Sequence, residues 1–347
     1  ALSYIGATAI RGRMLERSLK IIPSVSSIEK VLREAGATKP RPKQGTSTTV
    51  YPHLRIERVH QLTQMDNVPH YLLGGTLVNC FNAIDVVSRY PDGKQYERKS
   101  TNEVLDFCLK TFQSIGISEY TQMDNESSFN GGRTHRYVIG RVPRLMLLVG
   151  TELIYSPYYH PESNAFVERF HQDYNQNVWQ KLQLRDLAHV RQASASFFGR
   201  YRLSRHHSEL HGQSPASRHF ANPPRSLPTD FVLPKPLPIT KGKIHFMRVV
   251  SKDQTIPVLN VDWSAGLAQP HQGVWATLSI NRLGARLGIY DQAPDVAKRR
   301  CFASHPFPLS EPVVPLSEAF QKPATHWLHE LFNLHAKDST MSSRLFG

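Results

Sequence analysis

Three acidic side chains stand in settings where carboxylates can gather around metal. Asp66 ends the strand-like run HQLTQMD, Asp124 ends EYTQMD, and Glu168 follows SPYYHPESNAFV inside a helical pattern. A chain with 28 acids holds many such triples, so the local settings decide and not the triple itself. Strand ends along one edge of an α/β sheet are where ligands and catalytic groups collect. Phe166, Val167 and Phe170 give the helix an apolar anchor that lets Glu168 turn toward those strand ends. Taken singly, Asp66 reads as a strand-end turn residue, Asp124-Asn125 as a turn, and Glu168 as an exposed helix acid.

Taken together they form a hard-oxygen site for Mg2+, which favours a few carboxylates plus phosphate, with Mn2+ as a substitute. Two ions about 3.5–4 Å apart can activate an attacking oxygen and stabilise a leaving one. Water can then cleave a phosphodiester, and the freed 3′-OH can attack a second strand without a protein nucleophile. Like charges held this close repel one another, and the ions offset that cost.

The elements that must position these acids are legible in outline. Runs 59–66 and 75–87 read as strands, with 90–99 a third around the turn Pro91-Asp92-Gly93. Val104, Cys108, Phe112 and Ile115 mark a helix that Gly116 closes. Then come a strand at 119–123, a short helix at 141–149, a strand at 152–155 and a long helix at 163–182. The order βββαβαβα predicts an α/β layer whose early strands are antiparallel.

Outside this core, a helix near 14–22, Pro23, and a second helix would make a helix-turn-helix. Ser26 and Glu29 have capping-box spacing, Val25, Ile28, Leu32 and Ala35 recur on one face, and Gly36 stops the run. Residues 1–50 hold nine Lys/Arg against three acids, which suits major-groove docking through Lys30, Arg33, Lys39, Arg41 and Lys43. A hairpin that only packs on the next domain is the other reading. The expected organisation is a helix-turn-helix unit at 1–38, a basic linker at 39–54, the core at 55–220 and a Pro-rich linker at 221–240. A small β-barrel at 241–292 and a tail at 293–347, with a helix near 324–335, complete it. Strand runs at 243–250, 256–261, 274–280 and 286–290 suggest the barrel.

Composition narrows the partners. A formal charge of +14 on 347 residues favours a nucleic acid, because Lys and Arg release counterions condensed on its phosphates. RNA binding or plain solubility is the alternative. Cys80, Cys108 and Cys301 form no C-x-x-C pair, which argues against a zinc finger or disulfide scaffold and suits a reducing cytoplasm. His206, His207 and His211 lack cysteine partners, so a zinc site there is the weaker reading. No apolar run reaches the ~18–20 residues a membrane span needs. The start, ALSYIGATAIRGR, has no cleavable signal pattern and no Met, so a fragment or processed form is expected.

The strings QMD (64–66), AIDVVSRY (83–90), QMDNESSFNGG (122–132) and SPYYHPESNAFVERFHQ (156–172) resemble the DDE integrase core of bacterial insertion-sequence transposases. Order, separations of 58 and 44 residues, and the surroundings of each acid all match over roughly 55–220. The likeness is nearest to the IS481-like group and its integrase relatives. It implies an RNase H-like core, a mixed five-stranded sheet with helices, preceded by a helix-turn-helix and followed by an SH3-like barrel that GKIHFMRVVSKDQTIPVLN resembles more weakly.

The resemblance also implies that Asp66, Asp124 and Glu168 bind metal and that Asp85 supports the strand pair. Asn125 would orient the loop or touch DNA, and Arg169 and His171, just beyond Glu168, would touch phosphate. Departures stand at Glu126 and Ala165, where relatives often have Gly, and at Gln172 and Asn175, where basic residues are frequent. The longer second separation leaves 131–149 as an insertion or lid.

The implied function is metal-dependent 3′-end cleavage and strand transfer of a mobile element. The alternative is a transposase-derived DNA-binding protein whose nuclease has decayed. A recombinase with covalent Tyr or Ser has no supporting setting around Arg200, Tyr201, His206 or His207. Expected partners are double-stranded DNA (element ends and target), a homodimer or homotetramer assembled on it, and accessory proteins, with no membrane and a cytoplasmic, nucleoid-associated location.

Overall fold

The computed structural model describes residues 6–37, 50–124, 135–157, 161–204 and 207–316. Asn125, Glu126, Lys39, Arg41, Lys43, His206 and the expected helix near 324–335 lie outside the described residues.

Strands β1 (Leu62–Tyr71), β2 (Leu77–Asp85) and β3 (Pro91–Tyr96) pair antiparallel in sequence order. β4 (Tyr120–Met123) then adds parallel to β1, and β5 (Glu152–Tyr155) adds parallel to β4. The order β3-β2-β1-β4-β5 is the mixed five-stranded, RNase H-like sheet expected from the sequence. Each parallel step needs a crossover, supplied by α3 (Thr101–Ser114) and by α4 (Arg141–Val149).

α3 starts on a capping box, Ser100 with Glu103, and buries Val104, Phe107, Cys108 and Phe112. α4 buries Val142 and Leu145 to Val149, and both helices pack with Met65, Phe81 and Met123 from one face of the sheet. The opposite face carries Val78, Cys80 and Ile84, covered by α5 (Ala165–Tyr174) and α6 (Leu187–Ser204) through Val167, Phe170, Tyr174, Val190, Phe197 and Phe198. Burying each such aromatic side chain favours the fold by about 1.5–3 kcal/mol. α6 lies close on β3 at Gly93, where a Cβ would come within 2.6 Å of Phe198 Cζ.

Several expectations need correction. The first helix, α1, runs Ala7–Glu16 and not 14–22, because Ser18 adopts a positive φ of 49° and ends it. α2 (Val25–Glu34) follows, capped by Ser24, so two N-terminal helices are present. The helix expected at 163–182 is a 3-10 turn (Pro161–Asn164), then α5, then a π-helical turn (Asn175–Trp179). α6 was unexpected, as was β11 (Cys301–Phe307) in the segment expected as tail.

The sheet also continues beyond β5. β6 (Gly242–Val249) pairs parallel with β5, and β9 (Gly273–Asn281), β10 (Gly284–Tyr290) and β11 follow antiparallel, giving nine strands. β7 (Thr255–Val258) and β8 (Val261–Ser264) form a separate hairpin. Among the described residues no pairing closes this region into the ring of the expected SH3-like barrel. The Pro-rich segment before β6 lies on the core and is no free spacer. Leu227, Leu237 and Ile239 are buried, and the Leu227 N–H donates to Phe112 C=O at 3.0 Å.

Candidate metal centre

The parallel register of β1 and β4 pairs Gln64 with Gln122 and ends with Met65 against Met123, so Asp66 and Asp124 each follow the last pair of this ladder. Side chains alternate along a strand, so Gln64 and Asp66 share a face of β1, while Asp124 follows the last residue of β4. The two glutamines hold the start of α5 over that face. Gln64 Oε1 accepts the N–H groups of Phe166 and Val167, both at 3.2 Å, while its Nε2 donates to Ser163 C=O at 3.0 Å. Gln122 Nε2 donates to the same carbonyl at 2.9 Å and to Ser156 Oγ at 2.9 Å. Glu168 is the residue after Val167, in the first turn of α5. The helix that carries Glu168 is thus anchored two residues before each aspartate.

One turn beyond Glu168, His171 Nδ1 stands 3.7 Å from Asp66 Oδ2, with the imidazole 12% and the carboxylate 24% exposed. Asp66 Oδ1 accepts the N–H of Asn67 at 2.8 Å. Burial, then the neighbouring His70, brings the His171 pKa down to about 4, so the ring is neutral near pH 7. His171, expected to meet phosphate, is therefore turned into the site and away from solvent. Its Nε2 is buried without a hydrogen-bond partner, as is His70 Nε2, and His70 stacks on Trp179 with centroids 4.3 Å apart.

Arg169 is exposed and lies along its own helix, donating to Gln172 Oε1 at 2.8 Å and sitting 3.5 Å from Asp173 Oδ1. Lys30 and Arg33 are exposed on α2, Lys30 within 4.0 Å of Glu34.

Among the described residues, the one group of three metal-ligating side chains gathered within 4.8 Å is His60, Asp85 and His219. The three acids expected to bind metal are not in that group. Its members are committed elsewhere. Asp85, 1% exposed, accepts the N–H groups of His60, Val87 and Ser88 at 2.8, 3.1 and 2.7 Å. Ser88 Oγ lies 2.8 Å from Asp85 Oδ1 and 2.9 Å from His219 Nδ1, and its single proton serves one of them. His219 Nε2 donates to Ile115 C=O at 2.8 Å, and Tyr90 stacks on the ring. The knot ties β2 to α7 (Pro215–His219) and to the end of α3. Sequence reasoning had foreseen a supporting Asp85 but not its histidines, which come from distant segments.

A cavity of about 500 Å3 opens beside the anchored helix, lined by Gln64, Gln122, Ser163, Phe166, Met247 and Trp275. At the other end of the strands a groove of about 890 Å3 collects Arg58, Arg225, Lys241 and Lys243 with Glu119 and Glu152. No helix among the described residues is long and apolar enough to cross a membrane.

A family model described as "Integrase core domain" matches residues 149–215. Solved structures similar to this chain include a simian T-cell lymphotropic virus intasome in complex with PP2A regulatory subunit B56 gamma. It is 14% identical, with TM-score 0.40, over 90% of this chain and 96% of that one. The HTLV-2 integrase catalytic core domain in complex with magnesium is 11% identical, with TM-score 0.36, over 48% and 99%. The catalytic core domain of BIV integrase is 20% identical, with TM-score 0.35, over 47% and 95%.

Proposed function

We propose that this chain is a DDE-type polynucleotidyl transferase, a transposase or integrase that cleaves the 3′ ends of a mobile element and joins them to target DNA. The observation that supports the reading is the β1–β4 ladder, whose last pair, Met65 with Met123, immediately precedes Asp66 and Asp124, with the helix of Glu168 tied to Gln64 on β1. The integrase core match supports it, because residues 149–215 include Glu168 and the turn before it.

Asp66, Asp124 and Glu168 would hold the divalent ions. Their donor set is all oxygen and Asp66 keeps partial access to solvent, which fits Mg2+, with Mn2+ substituting. When bound, such ions supply an activated attacking oxygen and a stabilised leaving oxygen. The protein's own part is to orient. Gln64 and Gln122 fix the height of α5 above the strands, and Val167 and Phe170 lock its apolar face. DNA is the partner that the basic charge suits, and joining two ends calls for two such sites in a homodimer or homotetramer.

The test is incubation of the chain with DNA carrying the element's ends and Mg2+, with the products mapped. Nicking at the 3′ ends is expected. Asp66→Asn, Asp124→Asn and Glu168→Gln should each lower it at least about a hundred-fold, since even groups that only orient metal ligands cost 10–100-fold. DNA binding should survive. Nicking retained by any of the three variants defeats the site. Binding without any cleavage by the unaltered chain would favour the decayed, DNA-binding alternative.

A further inference from the structure

We propose that His171 is a fourth protein ligand, donating Nδ1 to the divalent ion carried on Asp66, so that α5 contributes Glu168 and His171 as a pair. The proposal rests on the metal reading of Asp66 and Glu168 above.

Three observations carry it. The first is distance. At 3.7 Å, His171 Nδ1 and Asp66 Oδ2 are too far apart for a hydrogen bond yet adjacent. Ligand bonds of about 2.1 Å put neighbouring donors about 3.0 Å apart around an octahedral ion, so small rotations of the two side chains would let one ion bridge them.

The second is spacing. Glu168 and His171 are three residues apart on a helix and therefore share a face. Glu-x-x-His projecting inward from a helix is a spacing that holds metal in helical bundles. Arg169, off that face, donates to Gln172 Oε1 along the helix.

The third is the far side of the ring. A metal-bound histidine hands its other N–H to an acceptor, which fixes the tautomer. His171 Nε2 is buried without a partner, and beside it stands His70, four residues after Asp66 on the same strand face, whose Nε2 is buried and unpartnered too. His189 Nδ1 is buried and unpartnered as well, so what sets His171 apart is the carboxylate that its Nδ1 faces. The ring keeps an unassigned proton position behind that nitrogen.

A nitrogen among oxygen donors shifts preference from Mg2+ toward transition ions. Mn2+ is the probe. The purified full chain, loaded with Mn2+ with and without element-end DNA, is examined by pulsed electron paramagnetic resonance. The expected result is a hyperfine coupling from a directly bound histidine nitrogen, altered when the histidines carry the heavy nitrogen isotope. His171→Gln, which keeps a polar side chain, should remove that coupling and weaken Mn2+ binding about tenfold.

Mn2+ bound without nitrogen coupling, or a coupling that persists in His171→Gln, overturns the proposal and leaves the carboxylate site standing. The isotope arm uses the unaltered chain, so it holds if the variant fails to fold. Failure of the chain to bind Mn2+ even with DNA would bring down the metal reading itself, and this inference with it.

Discussion

Gln64 Oε1 accepts the backbone N–H of Val167 at 3.2 Å, and through this bond the strand that carries Asp66 holds the helix that carries Glu168. The same oxygen accepts the Phe166 N–H, so one side chain satisfies two of the donors a helix start leaves open. Gln64→Leu should lower DNA nicking about 10–100-fold, because a shift of about 1 Å in a catalytic group costs that order of rate. Stability should fall by only about 1–3 kcal/mol, the cost of buried donors left unmet. Gln64→Glu keeps the acceptor and should retain more activity than Gln64→Leu. Nicking kinetics beside chemical denaturation decide it, and equal activity in both variants would mean that Gln64 positions nothing.

Asp92 belongs to a run that reads as a turn, Pro91-Asp92-Gly93, yet it is a buried anchor on β3. Lys110 Nζ at 2.8 Å and Arg202 Nη2 at 2.6 Å both reach its Oδ1, and Ser114 donates to the other oxygen. Burial alone would raise its pKa, but the two cations outweigh burial and hold the carboxyl below the usual range. Asp92→Asn should cost about 3 kcal/mol, the low end for a buried pair that loses one partner, since Lys110 and Arg202 keep some water. A denaturation midpoint unchanged by the substitution would show that the cluster is electrostatically idle.

The contrast between these two sites marks what the sequence can reveal. Asp66, Asp124 and Glu168 stand out because each ends or interrupts an apolar run, and the strands and helices around them follow from that patterning. Asp92 does not stand out, because its partners Lys110 and Arg202 come from two other helices and only packing brings them together. α6 was invisible for a related reason. It buries Val190, Ser194, Phe197, Phe198 and Tyr201 at helical spacing, but polar Ser194 interrupts the apolar stripe amid Ala, Ser and Arg, and Tyr174 completes the face by bonding Ser194 at 2.6 Å. The β5–β6 junction was equally hidden, since strand partners distant in the chain leave no local signal.

His219 gives the fold a pH dependence. Burial is the main reason its pKa drops to about 4, against about 6.5 in an unfolded chain. The unfolded state therefore takes up a proton at a pH where the folded state does not. Stability should hold above pH 6.5, fall as the pH drops from about 6.5 to about 4, and then level off. Between pH 6.5 and 5 this one group should cost about 1.6 kcal/mol, because the full 1.36 kcal/mol per pH unit is reached only below the unfolded pKa. Urea unfolding at the two pH values should therefore show a smaller acid loss for His219→Gln, which can still donate to Ile115 C=O. Parallel losses in both proteins would contradict the assignment.

The β5–β6 junction is held by Glu152, which takes His245 Nε2 at 2.7 Å on one oxygen and Lys243 Nζ at 2.9 Å on the other. Burial would raise the Glu152 pKa, but bonds and charge from His245 and Lys243 bring it down to about 2. A depressed carboxylate stabilises above its unfolded value of about 4.3, and that contribution fades only as the pH falls toward 2. Glu152→Leu should leave His245 buried with one nitrogen unmet and cost about 1–3 kcal/mol. Hydrogen exchange should quicken first at Ile244 and Phe246 on β6. Uniform quickening over the whole sheet would instead mean that the junction is no weaker than its surroundings.

Lys30 and Arg33 decide between the two readings of the N-terminal helices. Both are exposed near the end of α2, while Ile28 is buried. On a DNA-docking unit, each side chain that meets a phosphate releases condensed counterions and adds about 0.9 to the slope of log affinity against log salt. Replacing both by Ala should therefore flatten the slope by nearly 2 and weaken binding to all sequences alike. On a hairpin that only packs against its neighbours, the slope should stay as it was. Binding of element-end DNA titrated across several salt concentrations separates the two outcomes without requiring any cleavage, so the answer would hold even for a chain whose nuclease is silent.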